Sequence, residues 1–252
     1  MSFALLQNDL SIPPLDKLKR AFRAVKFLTE LDAHTLGEDA FGILVKNLSA
    51  EHAALLHGAL QAEGIGTEIA DERSLPPLPP TKFVKRLDCR ADALMIYDPM
   101  GRSFPLQWGH ILLLAAGQVR LNDFKRIQTR VPVTRYDSQG HPHEEVVTET
   151  RTKEQLNFHL VLEIILTRAV LRYTVKADEF NFAGLGARKT ADVPQNFALL
   201  VRDLAQFAPQ AALNRGAVSL RDNTAEAFSY PSKNAFVEEI VWMLWRMTKA
   251  GP

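Results

Sequence analysis

The stretch ALMIYDPMGRSFPLQWGHILLLAAGQVRL, Ala93 to Leu121, decides how the chain is read. Leu94 to Tyr97 has the length and composition of a short strand. Pro99-Met100-Gly101-Arg102 then supplies a tight turn, with proline and glycine at its centre. The chain returns through Pro105 and Trp108 into a longer apolar run. Asp98 and Arg102 flank the turn and are expected to brace it, with Trp108 filling a core. The stretch therefore reads as the opening hairpin of a β-rich domain, onto which later strands add.

The 46% apolar and 23% charged composition over 252 residues is that of a globular chain able to bury a real core. A net charge of +1 gives no global field to draw the protein to nucleic acid or anionic lipid. The one cysteine, Cys89, excludes an intrachain disulfide and a multi-cysteine zinc site, and favours a reducing compartment. The N-terminus lacks the basic n-region of a signal peptide. The longest apolar runs fall well short of the ~20 residues of a membrane helix. A cytoplasmic location is expected.

Before the central stretch the rhythm is strand, helix, helix, strand, helix, strand. Phe3 to Leu6 reads as a strand, and Pro13-Pro14 marks a helix start followed by Leu15, Leu18, Phe22 and Val25 on one face. A short helix is expected from Ala33 to Asp39 and a strand over 41–48. Ser49 is placed to cap a helix that Gly64 stops, and a last strand follows from Gly66 to Asp71. Lys17, Lys19, Arg20, Arg23 and Lys26 make the first helix basic, as a solvated face or as a docking surface for an acidic partner.

The run RAVKFLTEL (Arg23 to Leu31), the short helix and FGILVKNLSAEHAALLHGALQAEGIGTEIAD (Phe41 to Asp71) together resemble the C-terminal domain of the bacterial ribosomal stalk protein. Arg23, Ala24, Val25, Lys26, Thr29 and Leu31 match that family's basic-helix pattern, and Ala62, Glu63 and Gly64 its helix end. Glu30 stands where the family has glycine, and Asp32-Ala33-His34 replaces its glycine-leucine-lysine run. The resemblance spans about a quarter of the chain and implies a small α/β docking module. Arg23 and Lys26 are the partner-binding positions that it implies.

Pro76, Pro77, Pro79 and Pro80 form a stiff extended segment that reads as a linker, which sets two expected domains, 1–80 and 81–252. Beyond Leu121, residues 122–155 read as a long β-hairpin arm, with the pairing worked out over 125–154. A turn centred on Gln139-Gly140 sets Arg135 opposite Glu144, Arg130 opposite Glu149 and Lys125 opposite Glu154, with Val133 opposite Val146. The acidic strand neutralises the basic one, which argues against a phosphate-binding arm. A polar arm of this kind suits a protein partner or a second subunit.

Further strands are expected over 156–166 and 170–175, and helices near 194–208 and 232–248. The last helix presents Phe236, Ile240, Met243, Leu244 and Met247, while Trp242 and Trp245 fall off that face. They are read as packed on a second side or as an aromatic patch for a partner. The order of hairpin, antiparallel strands and terminal helix makes the second half similar to pleckstrin-homology-like β-domains, a class that implies partner or ligand binding. The expected class overall is α+β.

The chain has no phosphate-binding loop, dinucleotide fingerprint, nucleophile elbow or H-E-x-x-H helix. His143 and Glu145 alternate onto one strand face but are too few for a metal site. His110 and His159 are expected as satisfied core histidines. No catalytic, cofactor-binding or metal residue is assigned, and no cofactor is expected. The expected role is a non-enzymatic adaptor acting through protein contacts. A ribosome- or nucleic-acid-associated protein and an enzyme of unrecognised type are the alternatives. Arg23, Lys26, Trp242 and Trp245 are the candidate partner-binding residues.

Overall fold

The computed structural model describes residues 1–136, 139, 141–167, 171–224 and 228–250. The fold is α+β. It divides into two compact units, one of Met1–Val119 with His159–Pro252, the other of Arg120–Phe158.

The first unit opens with β1 (Phe3–Gln7), α1 (Leu15–Val25), α2 (Glu30–Asp39), β2 (Ile43–Leu48), α3 (Ala50–Ala62) and β3 (Thr67–Asp71). The expected order holds, with α2 starting three residues early. Thr29 and Asp32 form a reciprocal capping box that fixes that start. Ser49 caps α3 as expected. The strands form an antiparallel sheet in the order β2-β1-β3. Leu18 and Phe22 of α1 join Leu56 and Leu60 of α3 over one face of it, around Leu5.

Next come β4 (Thr81–Phe83), β5 (Arg86–Cys89), β6 (Leu94–Tyr97) and β7 (Ser103–Leu106). The hairpin β6–β7 is the one expected: Asp98 accepts from the backbone of Met100 and Arg102, and its carboxylate holds the Arg102 guanidinium at 2.7 Å. Trp108 is buried, with Nε1 donating to Arg90 O. The long strands β8 (Ile111–Tyr136) and β9 (Pro142–Leu166) follow, then β10 (Arg172–Lys176), α4 (Val193–Phe207), β11 (Ala212–Leu213), α5 (Arg215–Asp222), β12 (Ser229–Tyr230) and α6 (Lys233–Ala250). The larger sheet runs β11-β8-β9-β10-β4 with β12 also on β8, and β5-β6-β7 forms a third sheet; among the described residues neither path closes on itself. The main core gathers Leu94, Ile96, Leu114, Leu162 and Val175 from these strands with Phe197, Leu200 and Leu204 of α4.

Helix α5 was not expected, since Asn214-Arg215-Gly216 reads as a loop. Asn214 resolves the puzzle. Along the edge of β8, β11 pairs with residues 113–114 and β12 with residues 118–119, both in parallel. Between them the Asn214 carboxamide takes the place of a strand: Oδ1 accepts from Ala116 N at 2.8 Å and Nδ2 donates to Ala116 O at 3.1 Å. The same Oδ1 accepts from Ala217 N and so caps α5. Gly216 then lies so close to the strand that a Cβ would sit 1.9 Å from Ala116 O.

We predict that Asn214→Ala, which leaves both backbone groups of Ala116 unpaired and removes the cap, lowers stability by about 3–5 kcal/mol. Urea denaturation measures this, and a loss below about 1 kcal/mol would show that the amide is not bridging the gap in the ladder.

Candidate functional site

The four candidate partner-binding residues separate into two kinds of environment. Arg23 and Lys26 are exposed at the end of α1. Arg23 is held by Glu30 at 2.5 Å, and Arg20 beside it by Glu63 at 2.7 Å. Glu30, the residue that departs from the stalk-family pattern, is thus the one that neutralises Arg23. Two of the five basic residues named on α1 and its end are thus paired within the chain.

The tryptophans form no exposed patch. Trp245 is 3% exposed and packs with Ala4, Leu6, Ile43 and Ala70 on the second face of the β2-β1-β3 sheet. Trp242 is half-buried, its Nε1 donating to Gln7 O at 2.7 Å. Its ring lies over Gly42, whose Cβ would come within 2.5 Å of it. A small, positive-φ residue at 42 lets the indole close on the chain. The reason these rings leave the main apolar stripe of α6 is that α6 serves two neighbours. Phe236 meets Tyr230 edge-on, while Trp242 and Trp245 cover the first sheet.

Two clusters gather several of the buried polar groups outside these residues. In the first, Arg215 donates to Glu239 through its backbone N and through Nε and Nη2, and its Nη1 reaches Leu10 O at 2.8 Å. Its guanidinium lies 4.8 Å from the ring centroids of both Phe41 and Phe228. Asn214 Nδ2 donates to Tyr230 Oη at 2.7 Å. Burial, with Glu239 nearby, pushes the Tyr230 phenol well above its usual range. In the second cluster, Glu163 on β9 accepts from Thr174 at 2.7 Å and pairs with Arg172 at 3.0 Å. Arg172 in turn donates from Nε to Pro79 O and from its backbone N to Pro80 O, which fastens the proline segment to β10.

Among the described residues, neither cluster lines the groove between α4 and α5 or the smaller ones beside β1 and α2. Among the described residues no buried side-chain polar atom lacks a partner, and no group of His, Cys, Asp and Glu could hold a metal ion. His143 and Glu145 lie outside the described side chains. His110 is exposed in a single turn before β8 and is not a core residue; its carbonyl accepts from Thr167 N. His159 bonds Asp178 at 2.7 Å. Burial pushes the Cys89 thiol up to about 12, and the charge of Asp203 adds to this, which disfavours the thiolate at neutral pH. A groove of about 550 Å³ lies between α4 and α5. Its polar lining is committed to local structure: Asp192 caps α4, Arg202 holds Arg221 O, and Ser219 bonds Thr224.

The second unit is the arm. β8 and β9 are hydrogen-bonded neighbours joined by five residues, so they run antiparallel. Ile127, Val133, Val146, Leu156 and Phe158 are exposed, Val146 at 62%. Asn122 Nδ2 donates to Glu154 Oε1, and Asn157 Nδ2 to Asp123 Oδ2 at 2.6 Å. Side chains that meet across a ladder share a face, so here even positions face even and odd face odd. A turn centred on 139–140 pairs odd with even, and the expected register is therefore offset over this stretch. Glu154 faces Asn122, while the Lys125 side chain and the turn tip at Gly140 lie outside the described residues.

No helix among the described residues is long and apolar enough to cross a membrane. No protein-family model, curated protein or solved structure matches this chain.

Two outcomes follow from the buried groups. Desolvation raises Glu163 to about 7 from 4.5, against the opposing pull of Arg172 and Thr174. The folded chain then binds more protons than the unfolded one between these values, so this contribution to stability is lost as pH rises through about 7. We predict that Glu163→Gln removes a pH-dependent loss on the order of 1–3 kcal/mol. Parallel pH–stability curves for the two proteins would refute it. We also predict that iodoacetamide at about pH 8 spares Cys89 in the native chain and alkylates it after unfolding in urea. Equal rates in the two states would refute the raised pKa.

Proposed function

We propose that this protein is a non-enzymatic binding protein of adaptor type that acts through protein–protein contacts, with the arm 120–158 as its contact element. One observation carries the reading. The arm is a unit of its own with apolar side chains exposed on a two-stranded ribbon. A two-stranded hairpin is marginal in water, and a third strand or an apolar surface is what stabilises one. Placing a partner there supplies what the ribbon lacks.

The rest of the chain supports the same reading by contrast. Its buried polar and ionised groups are engaged with one another, and its thiol is protonated. The ion pairs of Arg20 and Arg23 weaken the case for nucleic acid, because paired arginines release few counterions from phosphate. A reducing, cytoplasmic setting suits a chain with one partly buried thiol.

We predict that replacing 126–153 by a short glycine-containing turn leaves the first unit folded, with a thermal midpoint within a few degrees of the full chain. The same deletion abolishes capture of its partner in affinity purification with partner identification. Equal recovery of the same partner by the full and arm-deleted chains would refute the assignment of contact to the arm.

A further inference from the structure

We infer that the partner of the arm is a second copy of this chain, joined through the open edge of β9 in an antiparallel register centred on Thr150. This rests on the reading of the arm as a protein-binding element, and names its occupant.

The edge comes first. Among the described residues β9 pairs with β10 only over Val161–Ile165, and from 142 to 158 its one strand neighbour is β8. The arm therefore has two free edges, each with backbone donors and acceptors on the side away from its neighbour. They are not equivalent. The arm segment of β8 carries Arg120, Lys125, Arg126, Arg130 and Arg135 against a single acidic residue, Asp123, and Pro132 removes a donor. A copy of that edge set against itself would gather like charge. β9 from 143 to 158 has no proline or glycine, and its stretch Val146-Val-Thr-Glu-Thr-Arg-Thr152 is rich in β-branched residues. It is the edge open to strand addition.

Symmetry then selects the register. Two identical strands that pair antiparallel in one sheet are related by a two-fold axis perpendicular to it. That axis keeps each side chain on its own face, so it must pass through a residue facing its own copy. Centring on Glu149, Arg151 or Lys153 sets a charge against itself. Centring on Thr150 sets Glu149 opposite Arg151 twice and Thr148 opposite Thr152 twice, and puts no like charges directly opposite from 144 to 156. Thr148-Glu-Thr-Arg-Thr152 is a palindrome in which the one change, Glu for Arg, is the change that makes it complementary to itself. Centring on Thr148 also avoids like charges and sets Glu145 opposite Arg151, but beside the axis it places Val147 against Glu149. Centring on Thr150 places Glu149 against Arg151 there and moves its own apolar–charged pairs, Val147 with Lys153 and Val146 with Glu154, further from the axis. Glu149 is engaged within its own chain as well; the second copy adds a positive neighbour on the other edge.

The result is a four-stranded antiparallel sheet, β8-β9-β9-β8, with Arg-rich strands outermost. Four strands meet the requirement that two do not.

The test uses the full-length chain with Cys89 replaced by alanine. Directly opposite Cα atoms in an antiparallel pair lie about 4.5–5.5 Å apart, inside the about 4.4–6.8 Å span of a disulfide. Thr150→Cys is expected to give a covalent dimer on mild oxidation. Thr148→Cys and Thr152→Cys are expected to cross-link only when mixed. Light scattering is expected to give twice the 28.2 kDa chain mass, and the mass of one chain after deletion of 126–153. Glu149→Arg alone is expected to weaken the dimer by about tenfold, and adding Arg151→Glu to restore it. A cross-link from Thr148→Cys alone, or from Thr134→Cys on β8, overturns the register or the edge. A single-chain mass for the full protein at tens of micromolar overturns the second copy as partner, while the deletion experiment of the preceding section still decides the arm. A dimer that survives that deletion overturns this proposal and leaves capture of other partners to be read separately.

Discussion

The structure hangs on one side-chain amide and its neighbour in sequence. Asn214 completes the edge of β8 where no strand reaches, caps α5, and bonds Tyr230 on β12. Arg215 carries the connection on to Glu239 of α6 and Leu10 of the N-terminal segment. Two adjacent residues thus tie the larger sheet to α5, β12 and α6, and α6 to the first sheet by way of Trp242 and Trp245. The arrangement is costly if incomplete: Glu239 and Asn214 are almost wholly buried, and a buried carboxylate without its cation is strongly destabilising. That explains the tight fits around it. Gly216 and Gly117 carry no Cβ where one would strike Ala116 O and Tyr230.

The parts of the fold legible in the sequence are those in which local chemistry and tertiary structure agree. Thr29 and Ser49 cap helices, and Asp98, Gly101 and Arg102 build their turn, because each acts within a few residues of itself. The order of the first strands and helices follows from periodicity together with Pro13-Pro14, Ser49 and Gly64 at helix ends, whereas the β2-β1-β3 order does not. Asn214 was illegible for the opposite reason. Its bonds to Ala116 span 98 positions in the chain, and an Asn-Arg-Gly triplet has the composition of a loop. The signal was present in Asn followed by an apolar-periodic Ala217, Val218 and Leu220, a cap before a short helix.

The candidate site was legible in part. That a long polar arm exists could be read from alternation and charge. Its register could not, because matching charges across strands assumes a spacer length that charges do not encode. Trp242 and Trp245 look like a patch on a helical wheel because a wheel has one inside. α6 has two, and only the three-dimensional placement of the β2-β1-β3 sheet reveals the second.

Exposed apolar residues on an arm and satisfied polar residues in the body are two sides of one allocation. The buried carboxylates of the body are committed: Glu163 to Arg172, Asp203 to Arg188, Glu239 to Arg215. In each pair, losing the cation leaves a buried carboxylate without its partner, so none can turn to a substrate without cost to the fold. The arm carries the reverse arrangement. Its strands hold charges of both signs on a ribbon with two open edges, a state that tolerates solvent yet gains from another strand. Charged edges normally guard against indiscriminate strand addition. An edge whose charges oppose those of its own copy guards against every strand but that one, so the same residues that keep the arm from aggregating would also choose its partner.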